Sequence, residues 1–181
     1  MIRIGQIIGK ALKVIPRGAQ LSKSKTDLSK RSKGVLSLYS TAKDFAMQFN
    51  MDYCTSKYIA VKTNLDGIQT NTVKLRELSD CYGDENITNW ISAWLIVLAN
   101  KMDFQISPEQ VGTTSILILE ELYMINIAEF TLFFKKLLKG SYGIFYGKFN
   151  MQTILLACKE FRMQRGNVIS KMSTEDQERY V

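Results

Sequence analysis

The chain has 181 residues, with 24 Lys or Arg against 17 Asp or Glu, three Cys and no His. That length suits one domain with an appended arm, and a domain near 150 residues buries roughly 68–70% of its unfolded surface, a core that needs no staples. The lack of histidine excludes Ser-His-Asp and Cys-His catalysis, histidine general bases and nearly every catalytic zinc site.

The net charge of +7 is uneven. Up to residue 43, ten cations (Arg3, Lys10, Lys13, Arg17, Lys23, Lys25, Lys30, Arg31, Lys33 and Lys43) face one acid, Asp27, which leaves +9 there and −2 in the remainder. Residues 1–15 place Ile4, Ile7, Ile8, Leu12 and Ile15 at helical spacing, with the cations largely off that face, and Pro16 ends the pattern. Such a helix suits a membrane surface, a partner's groove or the protein's own domain. The Ser- and Lys-rich stretch to Lys33 reads as a solvated linker, so 1–33 is expected to be a basic arm and 34–181 a helical domain. Gly5, Gln6, Gly9 and Lys10 interrupt the apolar stretch a signal peptide needs, and the run 91–99 falls short of the ~20 residues that span a bilayer. With Cys54, Cys81 and Cys158 scattered and reading as free thiols, the cytoplasm is the expected location.

Val35, Leu38, Tyr39, Ala42, Phe45, Ala46 and Phe49 recur at three- and four-residue steps and predict one helix. Residues 51–70 are ambiguous: Tyr58-Ile59-Ala60-Val61 suits a short strand and Asp66-Gly67 signals a turn. A short helix over 72–78, closed by Tyr82-Gly83, precedes one whose face carries Ile91, Trp94, Leu95, Leu98 and Met102. Ser107-Pro108-Glu109-Gln110 is a capping box with proline at the first helical position. Asn126 and Glu129 repeat the N-cap logic, Gly140 suits the residue after a helix, and Asn150 opens a last helix that Gly166 closes. The stretch from Ser173 to Tyr180 suits one frayed turn. The fold expected is all-α, five or six helices in a compact orthogonal bundle, with 107–166 packed on 88–102.

The loop Lys139-Gly140-Ser141-Tyr142-Gly143-Ile144-Phe145-Tyr146-Gly147-Lys148-Phe149 invites a phosphate-binding reading, but its glycines lack P-loop spacing and Phe149 stands where Ser or Thr is needed. Aromatics of an RNA-recognition motif sit on strands, which this pattern lacks. Two readings stay open. Tyr142 and Tyr146 stack bases while Lys135, Lys136, Lys139 and Lys148 meet phosphates, or the glycines make positive-φ turns and the aromatics plug a gap between helices. The arm adds Lys23, Lys25, Lys30, Arg31 and Lys33 as phosphate contacts. The carboxylates Asp80, Asp84, Glu85, Glu120, Glu121, Glu175, Asp176 and Glu178 form no acid/base pair. The expectation is a non-enzymatic protein with no catalytic residue, cofactor, metal or small-molecule substrate.

One resemblance spans 72–165, about half the chain. Its residues are Tyr82-Gly83, Trp94, Leu98, Ile118, Leu119, Tyr123, Ile127-Ala128-Glu129-Phe130, Lys136, Lys139-Gly140-Ser141-Tyr142-Gly143, Tyr146 and Arg162. The segment resembles an uncharacterised family common in gut anaerobes and in their phages and mobile elements. Lys159-Glu160-Phe161-Arg162 replaces a more acidic, tyrosine-bearing pattern there, and the basic arm is atypical. The resemblance implies a replication or DNA-maintenance accessory, such as a helicase-loader-like protein with nucleic acid and a helicase as partners. The alternative is a structural or virion-assembly protein whose arm docks on a partner or membrane.

Overall fold

Short polar side chains decide where the helices begin. The computed structural model describes residues 28–143 and 149–180. Ten helices lie among them: α1 Lys30–Leu38, α2 Ala42–Gln48, α3 Met51–Lys57, α4 Asn64–Gln69, α5 Leu75–Tyr82, α6 Asp84–Lys101, α7 Pro108–Leu122, α8 Ile127–Leu138, α9 Met151–Ile169 and α10 Thr174–Tyr180. Ser29, Thr41, Asn50, Thr63, Ser107, Asn126 and Asn150 each accept a backbone N–H of the helix they open, which satisfies a donor with no partner inside the helix. The fold is all-α, and no strand occurs among the described residues. Their ten helices exceed the five or six expected: one predicted helix divides in two, the ambiguous stretch 51–70 supplies two, and the expected frayed turn is a helix.

The single helix predicted up to Phe49 is two. Thr41 caps α2 by accepting from Asp44 N, and Tyr82 donates its hydroxyl to the Tyr39 carbonyl at 2.6 Å. Tyr39, Phe45 and Phe49 still meet one aromatic cluster, which is why the apolar spacing runs through the break. Helix α1 also begins inside the predicted linker, with Leu28 and Ser32 buried. The strand suggested at 58–61 is a turn in which Val61 N–H returns to the Tyr58 carbonyl. Asp66 and Gly67 lie within α4, where Asp66 completes a capping box with Thr63. A Cβ on Gly67 would stand 3.0 Å from Glu129 Cγ, so glycine there permits close approach of α4 to α8. Gly166 closes nothing: α9 runs on to Ile169, which is buried. The frayed turn expected near the carboxyl end is the two-turn α10.

Other expectations hold. The capping boxes at Ser107 and Asn126 form, Gly140 takes φ +69°, and Gly83 at φ +84° ends α5 and starts α6. The core runs from Phe45 and Phe49 through Trp90, Trp94, Phe130 and Phe134 to Phe133 and Phe161. Both indoles donate to the Phe49 carbonyl, at 2.8 and 3.2 Å, so neither buried N–H is orphaned. Helix α7 packs on α6 and α9, while α8 packs on α3, α4, α6 and α9. No helix among the described residues is long and apolar enough to cross a membrane.

Candidate nucleic-acid interface

The predicted basic residues do not act alike. Lys135 and Lys136 are neighbours in the last turn of α8, where cations suit the helix dipole. Lys135 Nζ donates to the Tyr58 and Val61 carbonyls at 3.3 and 2.9 Å and so ties down the turn after α3. Lys136 Nζ goes the other way, to Asn64 Oδ1 at 2.9 Å and Gln164 Oε1 at 3.0 Å, and lies 5.4 Å from the centre of the Phe161 ring. Burial holds both ammonium groups below the usual lysine range, with Glu160 opposing the shift at Lys136. Lys136 is an internal tie between helices; its bonds are already spent on α4 and α9.

Lys135 differs in the charges that act on it. After burial, the charges of Lys62 and Lys139 lower its pKa further. Lys62 and Lys139 are both exposed. Together the three make a positive patch where the turn after α3 meets the end of α8. A patch of like charge has an electrostatic cost in isolation, which a phosphate backbone would relieve.

Arg31, expected in a free arm, lies in α1, donates to Asn71 Oδ1 at 2.6 Å and stands 3.9 Å from Glu77. Lys30 and Lys33 are exposed on the same helix. Tyr142 is half-buried, its ring centre 6.0 Å from that of Phe133, and its hydroxyl finds no hydrogen-bond partner among the described residues. The ring packs against α8 through Phe133. Lys23, Lys25, Tyr146, Lys148 and the helix expected over 1–15 lie outside the described residues. Lys62 escaped the sequence reading because it is a lone lysine in an ambiguous stretch. Nothing in local spacing links it to Lys139.

The three cysteines are free. Burial raises the Cys54 thiol to about 12 and also pushes Cys158 up, so neither is poised as a nucleophile. Compared with known proteins, the chain matches no family model, no curated protein and no solved structure.

Proposed function

We propose that this chain is a non-enzymatic, nucleic-acid-associated accessory protein of a phage or mobile element, acting in the cytoplasm beside a replicative helicase. In this reading the helices make an orthogonal bundle that positions the Lys62–Lys135–Lys139 patch, and the cationic residues 1–27 extend the contact. The observation that carries it is the patch itself, three lysines gathered from two segments far apart in sequence, where Lys135 bonds the carbonyl of Val61 beside Lys62 and lies one turn from Lys139. The resemblance over 72–165 supplies the biological setting, and the charge of the first 43 residues supplies a second cationic segment.

The test is single-stranded oligonucleotide binding by fluorescence anisotropy across a salt series. Lys62→Glu with Lys139→Glu should weaken binding at least ~tenfold and reduce the magnitude of the log–log salt slope by about 1.4, two contacts at ~0.7 each on a single strand. The melting temperature should barely move, because both side chains are exposed. Unchanged affinity with an unchanged slope would remove the patch from the interface. Salt-independent binding to a protein partner would favour the assembly role instead.

A further inference from the structure

The turn that joins α3 to α4 carries an unusual tip. The Tyr58 carbonyl accepts Val61 N–H at 3.1 Å, which leaves Ile59 and Ala60 as the two central residues. Such positions favour Gly, Pro, Asn, Asp or Ser, whose backbones or short polar side chains suit a solvated bend. Here the tip is an isoleucine 64% exposed, followed by an exposed alanine, while Tyr58 and Val61 on either side are buried. Lysines bracket it. Lys57 and Lys62 are exposed before and after it in sequence, and Lys139 is exposed at the end of α8, where it and Lys62 both act on Lys135.

The tip is also held firmly. Lys135 Nζ donates to both carbonyls that frame it, those of Tyr58 and Val61. Lys57 Nζ lies 5.1, 5.4 and 5.6 Å from the ring centres of Phe49, Tyr53 and Tyr58, contacts that brace the end of α3. On the other side, Asp66 Oδ2 accepts the N–H groups of Lys62 and Thr63 at 3.0 and 2.8 Å and so fixes the entry to α4. A side chain on a braced turn loses little freedom when a partner closes over it, whereas one on a loose loop must first be ordered. A lone exposed isoleucine is ordinary on a protein surface. One raised on a braced turn among cations has a shape and a charge that suit one kind of partner.

We propose that Ile59 is an apolar wedge that enters between adjacent base pairs of double-stranded DNA, while Lys62 and Lys139 hold the flanking phosphates. The wedge rests on the nucleic-acid reading of the lysine patch and adds what that patch does to the bases. Apolar wedges partly unstack one base step and kink the duplex, at a cost that the phosphate contacts offset. The step they open most cheaply is a flexible pyrimidine–purine step such as TA. An anionic membrane would also meet cations around an apolar tip. A whole myristoyl chain, however, gives only marginal membrane binding, and one isoleucine buries far less apolar surface. Unstacking a single base step needs only one such side chain.

The test uses the full chain and a duplex oligonucleotide with 2-aminopurine in a central TA step, with a stiff A-tract duplex for comparison. Binding of the unaltered chain should raise the 2-aminopurine fluorescence several-fold as the base unstacks, and the TA duplex should bind several-fold more tightly than the A-tract. Ile59→Ser should abolish both effects and leave the salt slope unchanged, because the lysines remain. Ile59→Leu should restore them. Neither variant should shift the melting temperature, since the side chain is exposed. Unchanged fluorescence, with binding that still depends on Lys62 and Lys139, would overturn the wedge and leave the patch reading standing. Binding indifferent to those two lysines would overturn both. Flotation with phosphatidylserine vesicles that requires Ile59, with no effect of Ile59→Ser on the duplex, would overturn the wedge in favour of a lipid surface.

Discussion

At the scale of single residues, one chemical type serves opposed ends according to what surrounds it. Lys135 and Lys136 differ by one position yet tie different helices together, while Lys62 and Lys139 stay in solvent. Tyr142 shows the same dependence on surroundings. Burial pushes its phenol well above the ordinary tyrosine range, and the hydroxyl contributes nothing to offset its desolvation among the described residues. Removing that hydroxyl costs no hydrogen bond, so Tyr142→Phe should be neutral or stabilise by up to about 1 kcal/mol. Tyr142→Ala should instead cost about 2–4 kcal/mol, because the ring's packing against Phe133 is lost. Urea unfolding of both variants checks this. A phenylalanine variant as destabilised as the alanine one would mean the hydroxyl is bonded after all.

At the scale of elements, the caps are not equivalent. Ser107 is exposed and performs one task, accepting from Gln110 N at the start of α7. Asn126 is 4% exposed, accepts from Glu129 N and donates Nδ2 to the Gly67 carbonyl at 3.0 Å, which joins α4 to α8. Ser107→Ala should cost about 1 kcal/mol, the usual worth of a cap. Asn126→Ala should cost roughly 2–4 kcal/mol, since it also strands a buried carbonyl. Chemical denaturation of the pair gives the comparison, and equal losses would show that the Gly67 bond contributes nothing.

At the scale of the whole molecule, two capping carboxylates push stability in opposite directions with pH. Backbone N–H groups of Lys62 and Thr63 hold Asp66 below its ordinary 3.8, so its contribution is present at neutral pH and lost on acidification. Burial raises Glu129 above its ordinary 4.5, with Arg165 opposing. The folded state therefore holds that proton more firmly than the unfolded chain does. The resulting stability is complete below the unfolded value and is lost as pH rises through the folded one. The melting temperature of the wild type relative to Glu129→Gln should accordingly fall as pH rises above the ordinary glutamate value of 4.5. A difference that is flat or grows over that range would mean that Arg165 outweighs burial.

Local chemistry determined the helix starts at Ser107, Asn126 and Asn150 and the positive-φ turn at Gly140, because a cap or a missing Cβ acts within four residues of itself. Helical periodicity marked most of the buried faces for the same reason. It misjudged the break at Tyr39–Thr41, where a hydroxyl from Tyr82, 43 residues away, takes a carbonyl that a continuous helix would have used. Charge was legible only as totals. The gathering of Lys62 with Lys139, and of Lys74 with Arg165 beneath Tyr180, depends on which helix ends pack together. Tertiary structure alone decided those groupings, because electrostatic neighbours are set by distance in space and sequence spacing carries no record of it.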